Sequence, residues 1–473
     1  VAIQSKIINR IDILTLAIYF LLVILGWLNI YSSSYQDNPE FSLSTRYGKQ
    51  LIVIGINIFL LIAVLFLDVN FIPNISYITF AIIIVALIAV LFFGDITGGS
   101  KSWFIIGSFK LQPAEFAKLA VALALSRYIG NDNFKNLRGL KKYLTIFFII
   151  VLPAVLILLQ GDAGSALVFS IFILVLYRTG LSFYWLLLIF IQILVFSSYF
   201  YFKYEVIFIF LLLIAFISEF LISSKIKNTL NSFLFTLSLI LTGLVFVIFF
   251  NFQIKLHLII FLSYIIYTLY NVFKYIRKKN LSGIIMPIIF VIYMASIYSV
   301  NFLINNVLEE HQRTRINVLF GKETDLTGVG YNVHQSKIAI GSGGFSGKGF
   351  LQGTQTKYDF VPEQDTDFIF CTVGEEWGFI GTTLIIALFT VFFIRIILLS
   401  ERQKSSYSRI FGYSLASILF FHFSVNIAMT IGLAPVIGIP LPFFSYGGSS
   451  LIAFSIFLFL FLRLDAERNT LLV

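Results

Sequence analysis

The stretch Pro362-Glu363-Gln364-Asp365-Thr366-Asp367-Phe368-Ile369-Phe370, followed by Gly374-Glu375-Glu376-Trp377-Gly378, opens an apolar run that continues to Leu398. Acids crowd the mouth of this run, while the other long apolar segments carry little charge. An ionisable residue at the centre of a spanning helix costs roughly 2.5–3.5 kcal/mol on insertion scales, so acids placed there have a partner or a task. The pattern reads as chemistry performed at a membrane surface.

Working outward, the same apolar character fills the chain. Hydrophobic residues make up 59% of the 473 residues and charged residues 12%, which is too little polar surface for a soluble globule. Apolar runs of about 20 residues recur along nearly the whole length, each long enough to cross a hydrocarbon core. The expected fold is an all-α, polytopic integral membrane protein with about 14 transmembrane helices. They fall near 11–31, 50–68, 74–93, 113–129, 143–160, 164–178, 183–202, 205–222, 229–250, 255–274, 282–304, 367–398, 409–432 and 446–463. The first of these lacks a small-residue cleavage pattern and is expected to be retained. The single cysteine, Cys371, lies inside an apolar segment, which excludes a disulfide framework or a Cys-based metal site.

The excess of 33 Lys+Arg over 23 Asp+Glu sits mostly in short loops, as a topology signal and not as a nucleic-acid footprint. Lys6, Arg10, Lys135, Arg138, Lys141, Lys142, Arg178, Lys225, Lys227, Arg277, Arg402 and Arg468 fall on one face if the crossings are even. Both termini are therefore expected in the cytoplasm. Arg46, Lys49, Lys101, Lys110 and Lys203 fall on the other face, which also carries a loop at 305–366. Long loops translocate largely regardless of charge.

Four groups of residues carry candidate chemistry. Glu115 and Lys118 stand three apart, on one face of a helix that Pro113 suits as a first-turn residue. They read either as a structural ion pair or as a basic group meeting an anionic head group. Trp103, in the glycine-rich outer loop before them, reads as an interfacial anchor or a substrate contact. Gln160-Gly161-Asp162-Ala163-Gly164-Ser165 is a plain tight turn or the carrier of a second carboxylate. Asp367, with Thr366, is either a helix cap or a reactive acid; Glu375 and Glu376, two turns deeper, are beyond the reach of capping. Gly341-Ser342-Gly343-Gly344-Phe345-Ser346-Gly347-Lys348-Gly349 departs from a nucleotide-binding loop at both of its defining ends, so no nucleotide is expected. The segment from Gly432 through Pro435, Pro440 and Pro442 to Gly448 is too interrupted for a regular helix, and such backbone survives at membrane depth only when buried or lining a cavity. His422 and Asn426, four apart, share a face of the preceding span as interhelical hydrogen-bonding groups.

Together these motifs resemble the SEDS family (shape, elongation, division and sporulation proteins), membrane glycosyltransferases that polymerise lipid II into glycan strands. His311-Gln312-Arg313-Thr314-Arg315, Gly330-Tyr331-Asn332, Gln335-Ser336-Lys337 and Gly353-Thr354-Gln355 follow the elongation-type members more than the division-type ones. The resemblance implies Asp367 as the essential acid, and Trp103, Glu115, Lys118 and Asp162 as substrate-binding residues; Lys101, as a substitute for the family's Arg, with Lys337 and Glu363, are further substrate-binding candidates. It implies a divalent cation, Mg²⁺ or Mn²⁺, without identifying metal ligands. The implied location is the bacterial cytoplasmic membrane, and the implied partners are a class B penicillin-binding protein (a transpeptidase) and the other membrane proteins of an elongation complex.

Several positions depart from the family pattern: Asp365 stands where a His is usual, Ser102 where an Arg precedes the tryptophan, Ala114 where Ser is usual and Gly161 where Pro is usual. The family is expected to have about ten spans, and the surplus lies at 181–281, which is read as an auxiliary insertion. The remaining divisions are 1–180 and 367–473 for the membrane core, 282–304 for a core helix and 305–366 for the outer loop. The rival readings are a flippase or transporter of a lipid-linked precursor, a division-type polymerase, and a non-catalytic scaffold. Transport would favour charges along the whole membrane depth and inverted repeats, and the charges here gather toward one face.

Overall fold

The computed structural model describes residues 10–34, 42–97, 99–107, 109–131, 140–223, 226–277, 282–307, 310–322, 329–358 and 360–469. The protein is a helical membrane protein. Among the described residues, 11 helices are long and apolar enough to cross a membrane. Each of the expected spans coincides with a helix, but three fall short of that test. Pro113–Gly130 is charged, Ala163–Arg178 is short, and Tyr204–Ser223 ends in side chains outside the described set. The expected count of 14 therefore stands at 11 by length and apolarity.

The chain folds as two compact units, Val1–Leu181 with Thr324–Val473, and Ser182–Glu323. In the first unit the helix Gly448–Ala466 is buried along nearly its whole length. It packs on Arg46–Leu65, on Ser406–Thr430 and on Pro113–Gly130. Small residues allow the close packing: Gly26 of helix Ile13–Ser33 lies so near Phe444 that a Cβ there would strike its backbone. The two charged side chains of Gly448–Ala466 are paired, Arg463 with Glu467 at 2.8 Å and Asp465 with Arg402.

In the second unit, Ser282–Phe302 packs against Phe183–Tyr201, Tyr204–Ser223 and Leu256–Arg277, around Phe208, Tyr264, Met294 and Ile297. Residues 282–304, expected as part of the core, thus group with the inserted helices, because their apolar face is matched there. The loop at 305–366 is divided as well: its described residues up to Lys322 belong to the second unit and those from Val329 to the first. Its described part is largely helical, with Glu310–Leu319, Val329–Ser342 and Thr354–Lys357.

Two elements were not expected from sequence. The glycine-rich stretch before Pro113 forms a three-stranded antiparallel sheet, Asp95–Thr97, Ser100–Ile106 and Phe109–Leu111. The helix Ile369–Glu401 is broken at Gly378, whose φ of 63 and ψ of −157 are open to glycine and strained for other residues. The break frees backbone groups on both sides, and the 341–349 loop satisfies them. Lys348 and Gly349 donate to the carbonyls of Glu375 and Glu376 at 3.0 and 2.9 Å. Phe379 and Ile380 donate to the carbonyls of Gly344 and Phe345 at 3.0 and 3.2 Å. The loop that mimics a phosphate binder is a splint, its amides spent on protein carbonyls.

Candidate active site

Several candidate residues converge on the irregular segment at 432–440. Asp367 stands half-buried at the head of the broken helix. A Cβ on Gly438, whose φ is 68, would lie 3.5 Å from Asp367 Oδ2. The carboxylate therefore rests on a turn with no side chain between them. At the other end of the segment, the Lys337 ammonium packs on Gly432, and Lys337 is otherwise exposed. The 163–165 turn reaches the middle, where a Cβ on Gly164 would strike the Ile437 carbonyl.

The capping reading of Thr366 and Asp367 does not hold. The helix begins at Ile369, Phe368 occupies the N-cap position and no side chain caps the first turn. Thr366 Oγ1 instead donates to Glu363 Oε2 at 3.1 Å, and the Glu363 carbonyl accepts from the amides of Thr366 and Phe368, both at 3.2 Å. Glu363 itself is exposed and adopts a positive φ of 53, a strained state for a side chain of this kind. The acid that does cap is Asp162. Its Oδ1 accepts from Ser165 N at 2.9 Å, while Oδ2 accepts from Ser165 Oγ and Gln112 Nε2, each at 2.8 Å.

Glu115 and Lys118 form a buried ion pair at 2.8 Å, with 4% and 1% of their side chains exposed. Lys118 Nζ also reaches His422 Nε2 at 3.0 Å and stands 4.9 Å from the Phe454 ring. His422 Nδ1 lies 3.3 Å from the Pro440 carbonyl. A carbonyl only accepts, so Nδ1 carries the proton and Nε2 accepts from the ammonium. In this conformation the pair is sealed from solvent and touches the 432–440 segment through His422.

Lys101 and Trp103 lie on the middle strand, Trp103 opposite Asp95. Lys101 N donates to the Gln160 carbonyl at 2.9 Å, which binds the sheet to the Asp162 turn. Its Nζ donates to the Phe92 carbonyl at 3.1 Å. Trp103 is half-buried.

Two arrangements escaped the sequence reading. Asp365, 1% exposed, accepts from Arg46 Nη1 at 2.6 Å on both oxygens. Arg46 registers in the sequence only as an outer-face charge, and its partner lies 319 positions away. The signal available was the extra acid itself, since a carboxylate in place of His needs a cation. Glu375, fully buried, accepts from Lys348 Nζ at 2.6 Å and from the amides of Thr354, Gln355 and Thr356 at 2.7, 2.9 and 2.9 Å. That carboxylate is saturated by the 348–356 segment before it. Glu376 accepts from Ser32 Oγ.

The profile of the FtsW/RodA/SpoVE family, described as cell cycle proteins, matches residues 12–209 and 207–470. The chain is 31% identical over 448 residues to the peptidoglycan glycosyltransferase RodA of Treponema pallidum (strain Nichols), covering 94% of this chain and 95% of that one. The chain belongs to this family. It is also 29% identical over 374 residues to the peptidoglycan glycosyltransferase MrdB of Escherichia coli (strain K12), covering 79% of this chain and 73% of that one. Its fold matches a chain of a solved peptidoglycan synthase complex that coordinates polymerization and crosslinking, with a TM-score of 0.60 and 20% identity over 97% of this chain and 99% of that one.

Proposed function

We propose that this protein is a peptidoglycan glycosyltransferase of the elongation type, polymerising lipid II on the outer face of the cytoplasmic membrane. The observation that carries the assignment of residues is the half-buried Asp367 carboxylate, which rests on the Gly438 turn and does not cap its helix, with the exposed Lys337 at the far end of the same segment. In the reaction, a hydroxyl oxygen of the acceptor sugar bonds to the anomeric carbon of the donor. Its proton passes to Asp367 as general base, and the donor's undecaprenyl pyrophosphate leaves with the bonding electron pair. An α-linked donor giving a β-linked glycan requires a single inverting displacement and no covalent enzyme intermediate.

Cationic groups stabilise the departing pyrophosphate. Lys118, Lys101 and Lys337 are the candidates by sequence. Lys118 is buried against Glu115 and His422, and Lys101 is turned to the Phe92 carbonyl. Lys337 is the one exposed beside the segment that Asp367 touches. For the divalent cation, no three His, Cys, Asp or Glu side chains converge among the described residues. A hard cation such as Mg²⁺ is commonly held by one or two carboxylates together with substrate phosphates. The exposed Glu363 carboxylate suits that shared arrangement, and the ion would supply charge neutralisation at the pyrophosphate. Chelation should then abolish glycan synthesis, and added Mg²⁺ or Mn²⁺ should restore it.

A class B penicillin-binding protein is the proposed partner. Phe345, Phe350, Tyr358 and Phe360 stand exposed on the part of the outer loop that belongs to the first unit, and aromatic side chains of this kind anchor interfaces. Copurification with such a transpeptidase is expected; full-rate polymerisation with no copurifying transpeptidase would remove the partner from the scheme.

The deciding assay is purified protein with labelled lipid II, read for glycan chains and separately for flipping in liposomes. Flipping without glycan synthesis would replace the polymerase with a transporter. For orientation, single cysteines near Lys227 and Arg277 should label from the cytoplasm only.

A further inference from the structure

Helix Ser406–Thr430 ends where the irregular segment begins, and two of its side chains, His422 and Asn426, reach back over that segment. They stand four residues apart and so share a face. Asn426 is fully buried, and its Nδ2 donates to two carbonyls: Ile439 O at 2.7 Å and Asp367 O at 2.8 Å. His422 holds the next carbonyl, Pro440 O, at 3.3 Å. Neither Ile439, which is buried, nor Pro440, which is half-buried, belongs to a helix or strand, so their carbonyls turn to side-chain donors.

Asn426 uses both donor hydrogens in this way, while its Oδ1 finds no partner among the described residues. A buried amide that leaves its acceptor unsatisfied in order to donate twice is placed for its donors. One of the two carbonyls belongs to Asp367. The other is next to Gly438, the residue on which the Asp367 carboxylate rests. Asn426 therefore fixes both sides of a single contact, the backbone that carries the acid and the turn beneath it.

We infer that Asn426 is a positioning residue for the glycosyl transfer: by bridging the carbonyls of Asp367 and Ile439 it sets the acid against the Gly438 turn. This rests on Asp367 acting as the general base. The buried Glu115–Lys118 pair belongs to the same device. Lys118 donates to His422 Nε2, which holds the proton on Nδ1 and directs it to Pro440 O. The pair thus orients the segment under the acid through His422. Asn426 touches no reacting atom; its effect on rate comes through geometry, where a displacement of about 1 Å is enough to cost 10²-fold.

The test is steady-state polymerisation of labelled lipid II by purified Asn426→Ala, with Asp367→Asn measured alongside and thermal unfolding recorded for both. Asn426→Ala should lower kcat by about 10–100-fold with KM unchanged, in a protein that unfolds cooperatively near the wild-type temperature. A folded Asn426→Ala enzyme with wild-type kcat, or one with raised KM and intact kcat, would overturn the inference while leaving Asp367 in place. If Asp367→Asn is itself active, the general-base reading fails and the inference falls with it. Should the alanine variant not accumulate, Asn426→Ser keeps one short donor and is expected to lose kcat by a smaller factor. A wild-type kcat in that variant would overturn the proposal equally.

Discussion

At the 160–165 turn, Asp162 spends its carboxylate on Ser165 and Gln112 and so caps the helix that follows. At the 363–369 turn, Asp367 precedes a helix whose first turn no side chain caps. In the sequence the two look alike, an Asp in a turn before an apolar helix. The difference lies in one residue of spacing. Ala163 starts the first helix directly after Asp162, whereas Phe368 intervenes between Asp367 and Ile369 and takes the cap position. A carboxylate one position out of the cap frame is not drawn into the helix, and the tight turn of Glu363 keeps it there. The lesson is that capping preference distinguishes residue types, but only the register of the helix start decides which acid becomes the cap.

The largest expected effect is at Asp367. Asp367→Asn should slow polymerisation by about 10²–10⁴-fold through loss of the base, with thermal stability in detergent changed by less than about 1 kcal/mol. Near-normal activity in the folded variant would dissolve the contrast between the two turns and return Asp162 and Glu363 to consideration. Next comes Glu375, an acid close in sequence yet structural in use. Glu375→Ala leaves the Lys348 ammonium and three backbone amides without their acceptor, and breaking such a buried pair costs about 3–5 kcal/mol. The measurement is the thermal midpoint, and an unshifted midpoint would mean that the outer loop is held by other contacts.

Smaller again is Asp162. Asp162→Ala should cost about 0.5–2 kcal/mol as a lost cap, and Asp162→Asn much less. Polymerisation by folded Asp162→Asn should persist; its abolition would sharpen the comparison into one between two reactive acids. The smallest effect is at Lys101, half-buried and turned to the Phe92 carbonyl. Lys101→Met should change stability by no more than about 0.5 kcal/mol and slow synthesis less than Lys337→Met does. The reverse order would move the pyrophosphate site to the sheet.

What was legible in the sequence follows from how local each signal is. Apolar runs report helices, since length and hydropathy are properties of one segment. The Glu115–Lys118 pair follows from three-residue spacing, and the broken character of 432–448 from its prolines and glycines. Asp365 with Arg46, Glu375 with Thr354–Lys357, and Asn426 with Asp367 are pairings across many positions, and no periodicity records them. The three-stranded sheet was hidden because its strands are only three to seven residues long and the glycines between them read as loop. The grouping of 282–304 with the inserted helices was hidden because an apolar face does not name its partner.

The splint at Gly378 bears on how the protein is made. A helix interrupted in lipid cannot satisfy its own backbone, and each unsatisfied group costs several kcal/mol there. Its partners on the 341–349 loop are synthesised first, about thirty residues ahead, because the chain emerges from its N-terminal end. The loop must therefore already stand on the side of the membrane where the break settles when the 369–377 and 379–401 halves arrive. Seating of this helix is thus conditional on prior placement of the loop before it, so that a stalled or misplaced loop would leave the helix that follows Asp367 as a substrate for quality-control proteolysis.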